Sequence, residues 1–209
     1  MKYTKVVNAN NMVRRSNYVI NNPKSIKGRW NEVFKNNNPI YIELGMGRGE
    51  YILEMAKHHP EINYIGIELD ESQISFAVKK LNFINLPNVR LLLMDASKIA
   101  EVFSKEIDRI YITFPEPWPK DIDIKKRFTN ITYLRLYDQI YRKDKHLILK
   151  TDNKDYYIYS LEQLSQYWYQ FKKISFDLHH EDIENYMTEF EKEYYKLKRP
   201  IYYVEAIYK

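Results

Sequence analysis

Glycine is the feature that most narrows what this chain can become. Only five occur in 209 residues, three of them (Gly45, Gly47 and Gly49) fall within Glu43-Leu-Gly-Met-Gly-Arg-Gly-Glu50, and none follows Gly66. Glycine costs conformational entropy, and it is favoured where the backbone takes positive φ or passes close to a ligand. A chain this sparing has placed its glycines where a strand turns sharply into a helix. The flanks agree: residues 40–44 are an apolar strand, and residues 51–58 form a helix burying Ile52, Met55 and Ala56. In a doubly wound α/β sheet that turn lies at the carboxyl edge of the first strand, where nucleotide-like ligands bind.

The alternation continues along the chain. Apolar runs at 63–69, 88–94, 107–114, 146–150, 171–178 and 201–208 predict six further strands. Helices are predicted around Ile74, Ala77, Val78 and Leu81, over 98–103, over about 130–142, through Leu161, Leu164 and Trp168, and near 189–196. Short, almost wholly apolar strands predict an α/β fold: a doubly wound, mostly parallel, seven-stranded Rossmann-like sheet with helices on both faces. Residues 1–38 are rich in Asn and Lys without a sustained period, and predict a basic, mobile amino-terminal arm before a single domain at 39–209. That arm carries Lys2, Lys5, Arg14, Arg15, Lys24, Lys27, Arg29 and Lys35 against Glu32, within a net charge of +5, which points to a polyanionic partner.

Several classes are excluded. No apolar run approaches the ~20 residues of a membrane span, and the first residues lack the apolar core and cleavage site of a secretory signal, so a cytoplasmic protein is expected. The absence of cysteine removes disulfides, thiolate catalysis and cysteine metal sites. The pairs His58-His59 and His179-His180 match no usual ligand spacing, so no metal is expected.

Acids set the chemistry. Glu68 ends the second strand, about 20 residues past the loop, where a carboxylate accepts ribose hydroxyls. Glu43 enters the glycine loop, where it would repel a pyrophosphate but could hold an ammonium, directly or through water. Asp95 ends the third strand, placed either for an adenine edge or to cap the next helix. Together these favour S-adenosylmethionine over a dinucleotide. Downstream, Thr113-Phe-Pro-Glu-Pro-Trp-Pro-Lys120 fixes its backbone with three prolines where a substrate would meet the methyl donor, which makes Glu116 the candidate catalytic carboxylate. Lys150-Thr-Asp-Asn153 brings Asp152 to the same edge, as a helix cap or a substrate ligand, and Thr188-x-x-Glu191 reads as a capping box.

On the glycine loop, Ile65-Gly-Ile-Glu68, the proline loop, the Lys-Thr-Asp-Asn tetrad and Met187-Thr-Glu-Phe-Glu191, the chain resembles the bacterial tRNA (guanine-N7)-methyltransferases, class I S-adenosylmethionine-dependent enzymes, from about residue 39 onward. The resemblance implies methyl transfer to N7 of the variable-loop guanosine of tRNA, position 46 by convention. It implies cofactor contacts at Glu43, Glu68, Asp95 and Glu116 beside Gly45, Gly47 and Gly49, and substrate contacts at Lys120, Asp152, Thr188, Glu189, Phe190 and Glu191. Guanine N7 carries an in-plane lone pair and needs no deprotonation, so the lack of a Ser/His/Asp or Cys/His constellation fits a reaction run by positioning and electrostatics.

Three positions depart from the family pattern. Glu116 stands where aspartate is usual, Asp121 and Asp123 interrupt a stretch that is usually basic, and Lys143-Asp-Lys-His146 replaces a glycine before the fifth strand. Lys125, Lys126 and Arg127 are left, with the arm, to meet RNA phosphates. Alternatives are a methyltransferase acting on another nucleic acid or a small molecule, and an RNA-binding relative with a weakened site. No obligate protein partner is implied, and monomer and homodimer both remain open.

Overall fold

Every second residue of a strand faces the same side of its sheet, and in this chain both sides are apolar. The computed structural model describes residues 9–208. Its strands are β1 (Ile40–Leu44), β2 (Asn63–Glu68), β3 (Val89–Leu93), β4 (Arg109–Thr113), β5 (Lys145–Thr151), β6 (Gln170–Ser175) and β7 (Tyr202–Tyr208). They form one mixed sheet in the order β3-β2-β1-β4-β5-β7-β6. Strands β1 to β5 pair in parallel, and β7 runs against both β5 and β6.

The helices are α1 (Ala9–Arg15), α2 (Trp30–Phe34), α3 (Glu50–His58), α4 (Glu71–Ile84), α5 (Ile131–Ile140), α6 (Lys154–Gln166) and α7 (Glu189–Lys196). On one face of the sheet Ile40, Ile42, Ile65, Ile110 and Leu147 pack under residues of α2, α5 and α6. On the other, Tyr64, Leu91, Tyr111 and Ile148 pack under residues of α1, α3 and α4. Parallel strands buried on both faces carry apolar residues at nearly every position, which is why the sequence shows runs rather than alternation. The carboxyl ends of β1, β2, β3 and β4 consequently meet at one rim, on either side of the point where the winding reverses between β1 and β4.

The boundaries moved where the backbone turns. Ile107 makes only an isolated bridge to Tyr141, and Phe114 takes φ 49°, so β4 is shorter than the apolar run at 107–114. The run at 171–178 likewise ends at Ser175, and Leu178 opens a short 3-10 turn instead.

The expectation of a loosely packed arm is corrected over residues 9–38. Val13 and Trp30 are fully buried, and the Trp30 indole donates to the Val102 carbonyl at 3.1 Å. The Glu106 carboxylate accepts from the backbone N–H groups of Gly28 and Trp30 at 2.9 and 3.0 Å. Residues 18–20 add to the sheet beside β3, through Leu91 N–H to the Tyr18 carbonyl and Ile20 N–H to the Leu91 carbonyl. Lys2 and Lys5 lie outside the described residues. Among the described residues, no helix is long and apolar enough to cross a membrane.

Candidate active site

The site begins where β1 enters the glycine loop. Gly45, Gly47 and Gly49 take φ of 67°, 54° and 70°. The N–H groups of Gly45 and Met46 donate to the Ile67 carbonyl at 2.9 and 3.1 Å, and Gly47 N–H donates to Glu68 Oε2 at 2.9 Å. The loop is thereby strapped onto the end of β2. A Cβ at Gly49 would lie 3.0 Å from the Ala77 Cβ, so glycine lets α3 start this close to α4. Gly66 went unassigned from sequence, yet a Cβ there would sit 2.1 Å from Met46 Sδ. Its signal was a lone glycine inside a strand, a mark of close approach by another segment.

A cavity of about 760 Å³ opens beside Gly45, lined by Glu68, Asp95, Glu116, Trp118, Phe128 and Tyr133 among others. The remaining Glu68 oxygen accepts from Leu69 and Asp70 N–H at 2.7 and 2.9 Å, so three backbone donors fix this carboxylate on the rim. Asp95 Oδ1 accepts from Ser97 N–H at 2.8 Å; it caps the following turn and lines the cavity at the same time. Burial, reinforced by Asp95, pushes the Tyr133 hydroxyl up to about 12, which keeps it a neutral donor in that wall. Acids flanking aromatic surface suit a cationic nucleoside and disfavour a pyrophosphate.

The proline loop forms the outer wall. Phe114 and Trp118 take φ of 49° and 44°, a strained conformation for non-glycine residues that persists only when neighbours enforce it. Phe114 is held by its N–H, which donates to the Lys150 carbonyl at 2.8 Å, and Trp118 by Arg127. This arginine is buried, donates to the Pro117 and Trp118 carbonyls at 2.9 and 3.2 Å, and lies 4.5 Å from the Tyr159 ring centre. The expectation that Arg127 meets RNA is therefore corrected: its guanidinium is turned inward and committed to the loop. Lys120, Lys125 and Lys126 are exposed, with Lys126 paired to Asp123 at 2.7 Å and seated 4.5 Å from the Trp118 ring centre.

A second cavity of about 270 Å³ lies on the other side of the loop and shares Gly45 and Phe114 with the first; Arg48, Thr113, Thr188 and Phe190 also line it. Beneath it, the Thr113 hydroxyl donates to Glu43 Oε1, while Glu43 Oε2 is buried with no partner. Burial raises the Glu43 pKa to about 7, against the Thr113 hydrogen bond and the charge of Lys150, which lower it. Glu43 is in the wall of neither cavity, which disfavours the direct one of the two contacts expected of it, and the side chain between it and the smaller cavity is Thr113. An unpartnered acid oxygen under the loop still suits a cationic ligand above it.

At α7 the structure divides the predicted substrate residues. Thr188 Oγ1 accepts from Glu191 N–H at 3.1 Å, the capping contact anticipated from sequence. Phe190 is exposed, and Glu189 donates its N–H to Glu50 at 2.7 Å while its carboxylate lies 3.8 Å from Arg48. Glu191 does not complete the capping box and does not face a ligand. It is fully buried, accepting from Lys150 Nζ at 2.7 Å and Asn185 Nδ2 at 2.6 Å, with His179 Nε2 at 3.2 Å. Its expected substrate contact is thus corrected to an internal ion pair. Asp152 is exposed and, after burial, is the next cause raising Tyr194. The cap of α6 is Asn153, which accepts from Tyr156 N–H at 2.8 Å, so the capping alternative for Asp152 falls away.

Lys150, Thr113, Arg48 and Phe114 were not assigned individually from sequence. Lys150 left a trace, as a lone charge ending the apolar run of β5. The histidines serve local contacts: His58 stacks on Tyr186 at 4.8 Å, and His180 meets Asp177 at 2.9 Å. Among the described residues no group of three or more potential ligands could hold a metal.

Comparison with known proteins agrees with this geometry. The model of a family described as putative methyltransferase matches residues 37–204. A tRNA (guanine-N(7)-)-methyltransferase of Lachnoclostridium phytofermentans is 40% identical, with 99% of this chain and 98% of that one covered. One of the same name from Bacillus cytotoxicus is 45% identical over 93% of this chain and 90% of the relative. Among solved structures, an antibiotic-related methyltransferase superposes with a TM-score of 0.66 at 18% identity, covering 87% of this chain and 92% of the other, which shows the fold.

Proposed function

The chain belongs to the tRNA (guanine-N(7)-)-methyltransferase family, and from that premise we propose that it modifies the variable-loop guanosine, position 46, with the methyl donor in the larger cavity and the target base in the smaller one. It is an S-adenosylmethionine-dependent enzyme that methylates guanine N7 in tRNA. The observation that carries the finer reading is that the two cavities meet at Gly45 and Phe114, so ligands in each approach across one short boundary.

S-adenosylmethionine supplies a methyl carbon activated by its sulfonium. In the larger cavity, Glu68 receives the ribose hydroxyls, Asp95 the adenine edge, and Phe128 with Tyr133 the ring faces. Glu43, through Thr113, adds negative potential under the loop as pH rises through about 7. The N7 lone pair forms the new bond to the methyl carbon as the carbon–sulfur bond breaks; the electron pair returns to sulfur, S-adenosylhomocysteine leaves uncharged at that sulfur, and the guanine becomes cationic. Glu116, held by the prolines and by Arg127, faces that developing charge, a contribution of positioning and electrostatics rather than proton abstraction. Thr188 and Phe190 form the base-side wall, Asp152 stands at the same edge, and Lys120, Lys125 and Lys126 meet phosphates outside it. With tRNA as substrate, the compartment we assign is the cytoplasm.

Two transcripts of one tRNA, with guanosine or adenosine at position 46, test the target. With labelled S-adenosylmethionine and nucleoside analysis, 7-methylguanosine is expected from the first alone. Equal label in both would overturn position 46.

A further inference from the structure

Helix α7 is held to the body of the protein in an unusual way. Amphipathic helices ordinarily dock through an apolar stripe, yet the buried residue of α7 is an acid, Glu191. Its two carboxylate oxygens receive three groups from three directions: Lys150 on Oε2, and Asn185 and His179 on Oε1. Asn185 also accepts from Lys150 at 2.7 Å, closing the cluster. Lys150 is 1% exposed, lies 4.3 Å from the Tyr51 ring centre, and is close enough to Glu43 for each to shift the other's titration. It therefore stands between the acid under the glycine loop and the helix that closes the second cavity.

A buried ion pair is an inefficient source of stability, because desolvation consumes most of its Coulomb gain, and apolar replacements of similar volume often hold as well or better. What the pair supplies is direction. Charge-assisted hydrogen bonds fix the rotation of the first turn of α7, and that turn carries Thr188 and Phe190 into the cavity wall. We propose that Lys150 is a positioning residue for methyl transfer: by gripping Glu191 it sets the orientation of Thr188 and Phe190 against the target guanine. This rests on the reading that the smaller cavity takes that base.

The test exploits the difference between holding and aiming. In Lys150→Met/Glu191→Met both charges are replaced by apolar side chains, and the melting temperature is expected to stay near or above that of the parent. Affinity for S-adenosylmethionine, read by calorimetry, shifts only as far as loss of the Lys150 charge favours protonation of Glu43. The KM for tRNA rises about tenfold or more, and the amides of residues 189–192 exchange faster. A folded double variant with the parent KM and the parent exchange rates would overturn the proposal.

Should that variant fail to fold, Asn185→Ala removes the bridging amide and leaves the ion pair; a raised KM with unchanged donor affinity supports the proposal, and an unchanged KM overturns it. Phe190→Ala separates the underlying reading. If it leaves the KM for tRNA unchanged, the base does not bind there and both readings fall; if it raises the KM while the double variant does not, the role of Lys150 alone falls.

Discussion

Glu116 lines the larger cavity while Glu43 lies buried beneath the smaller one, and their surroundings give these two carboxylates different tasks. Glu116 is exposed on the proline loop, with one methylene more than the aspartate usual at this place. Glu116→Ala is expected to lower the single-turnover rate about a hundredfold, while Glu116→Asp retains or improves it; equal rates for all three proteins would remove Glu116 from the mechanism. Glu43 is buried, and its pKa rises from 4.5 to about 7. Between those values the folded protein keeps a proton that the unfolded chain has released. The associated stability is complete below the unfolded pKa and is lost as pH rises through the folded one. A loss on the order of 3 kcal/mol follows from the size of the shift. Urea titrations of Glu43→Gln should lack that decline, and a parallel decline in parent and variant would contradict it. Residue spacing made the places of Glu68 and Asp95 in the cavity wall legible, because both follow from where strands end. Arg127 was misread for a physical reason: Lys125-Lys126-Arg127 is one basic run in sequence, and only the packing of the proline loop turns its third member inward.

Elements were legible in proportion to how locally they are specified. The β1–loop–α3–β2 unit was read in order because hydrophobic runs and glycines mark each junction, and α7 was predicted over the residues it occupies, since Thr188 announces its start. Helices α1 and α2 were missed. Their buried residues, Val13, Trp30 and Phe34, are isolated among Asn and Lys and show no period, so their burial depends on partners distant in sequence such as Val102 and Glu106. Trp30→Ala is accordingly expected to cost about 3–5 kcal/mol of global stability, measured by chemical denaturation. A cost near zero would restore the picture of a loose arm.

At the scale of the whole molecule, charge and shape act together. A basic chain with net charge +5 suits a polyanion, and we propose that the exposed lysines beside the larger cavity do the local work. Replacing Lys120, Lys125 and Lys126 together with alanine is expected to weaken tRNA binding and to reduce the slope of log Kd against log salt by roughly 2–3. An unchanged slope would place the RNA on another face.

We propose that Gly45 and Phe114 divide a donor site walled by Glu68 and Asp95 from a base site walled by Thr188 and Phe190. A crystal structure with S-adenosylhomocysteine bound tests it most directly. The adenosine is expected between Glu68 and Asp95, with the amino acid portion passing Gly45 toward Thr113. A nucleoside bound elsewhere, or Glu68 and Asp95 turned away from it, would overturn this division of the two cavities.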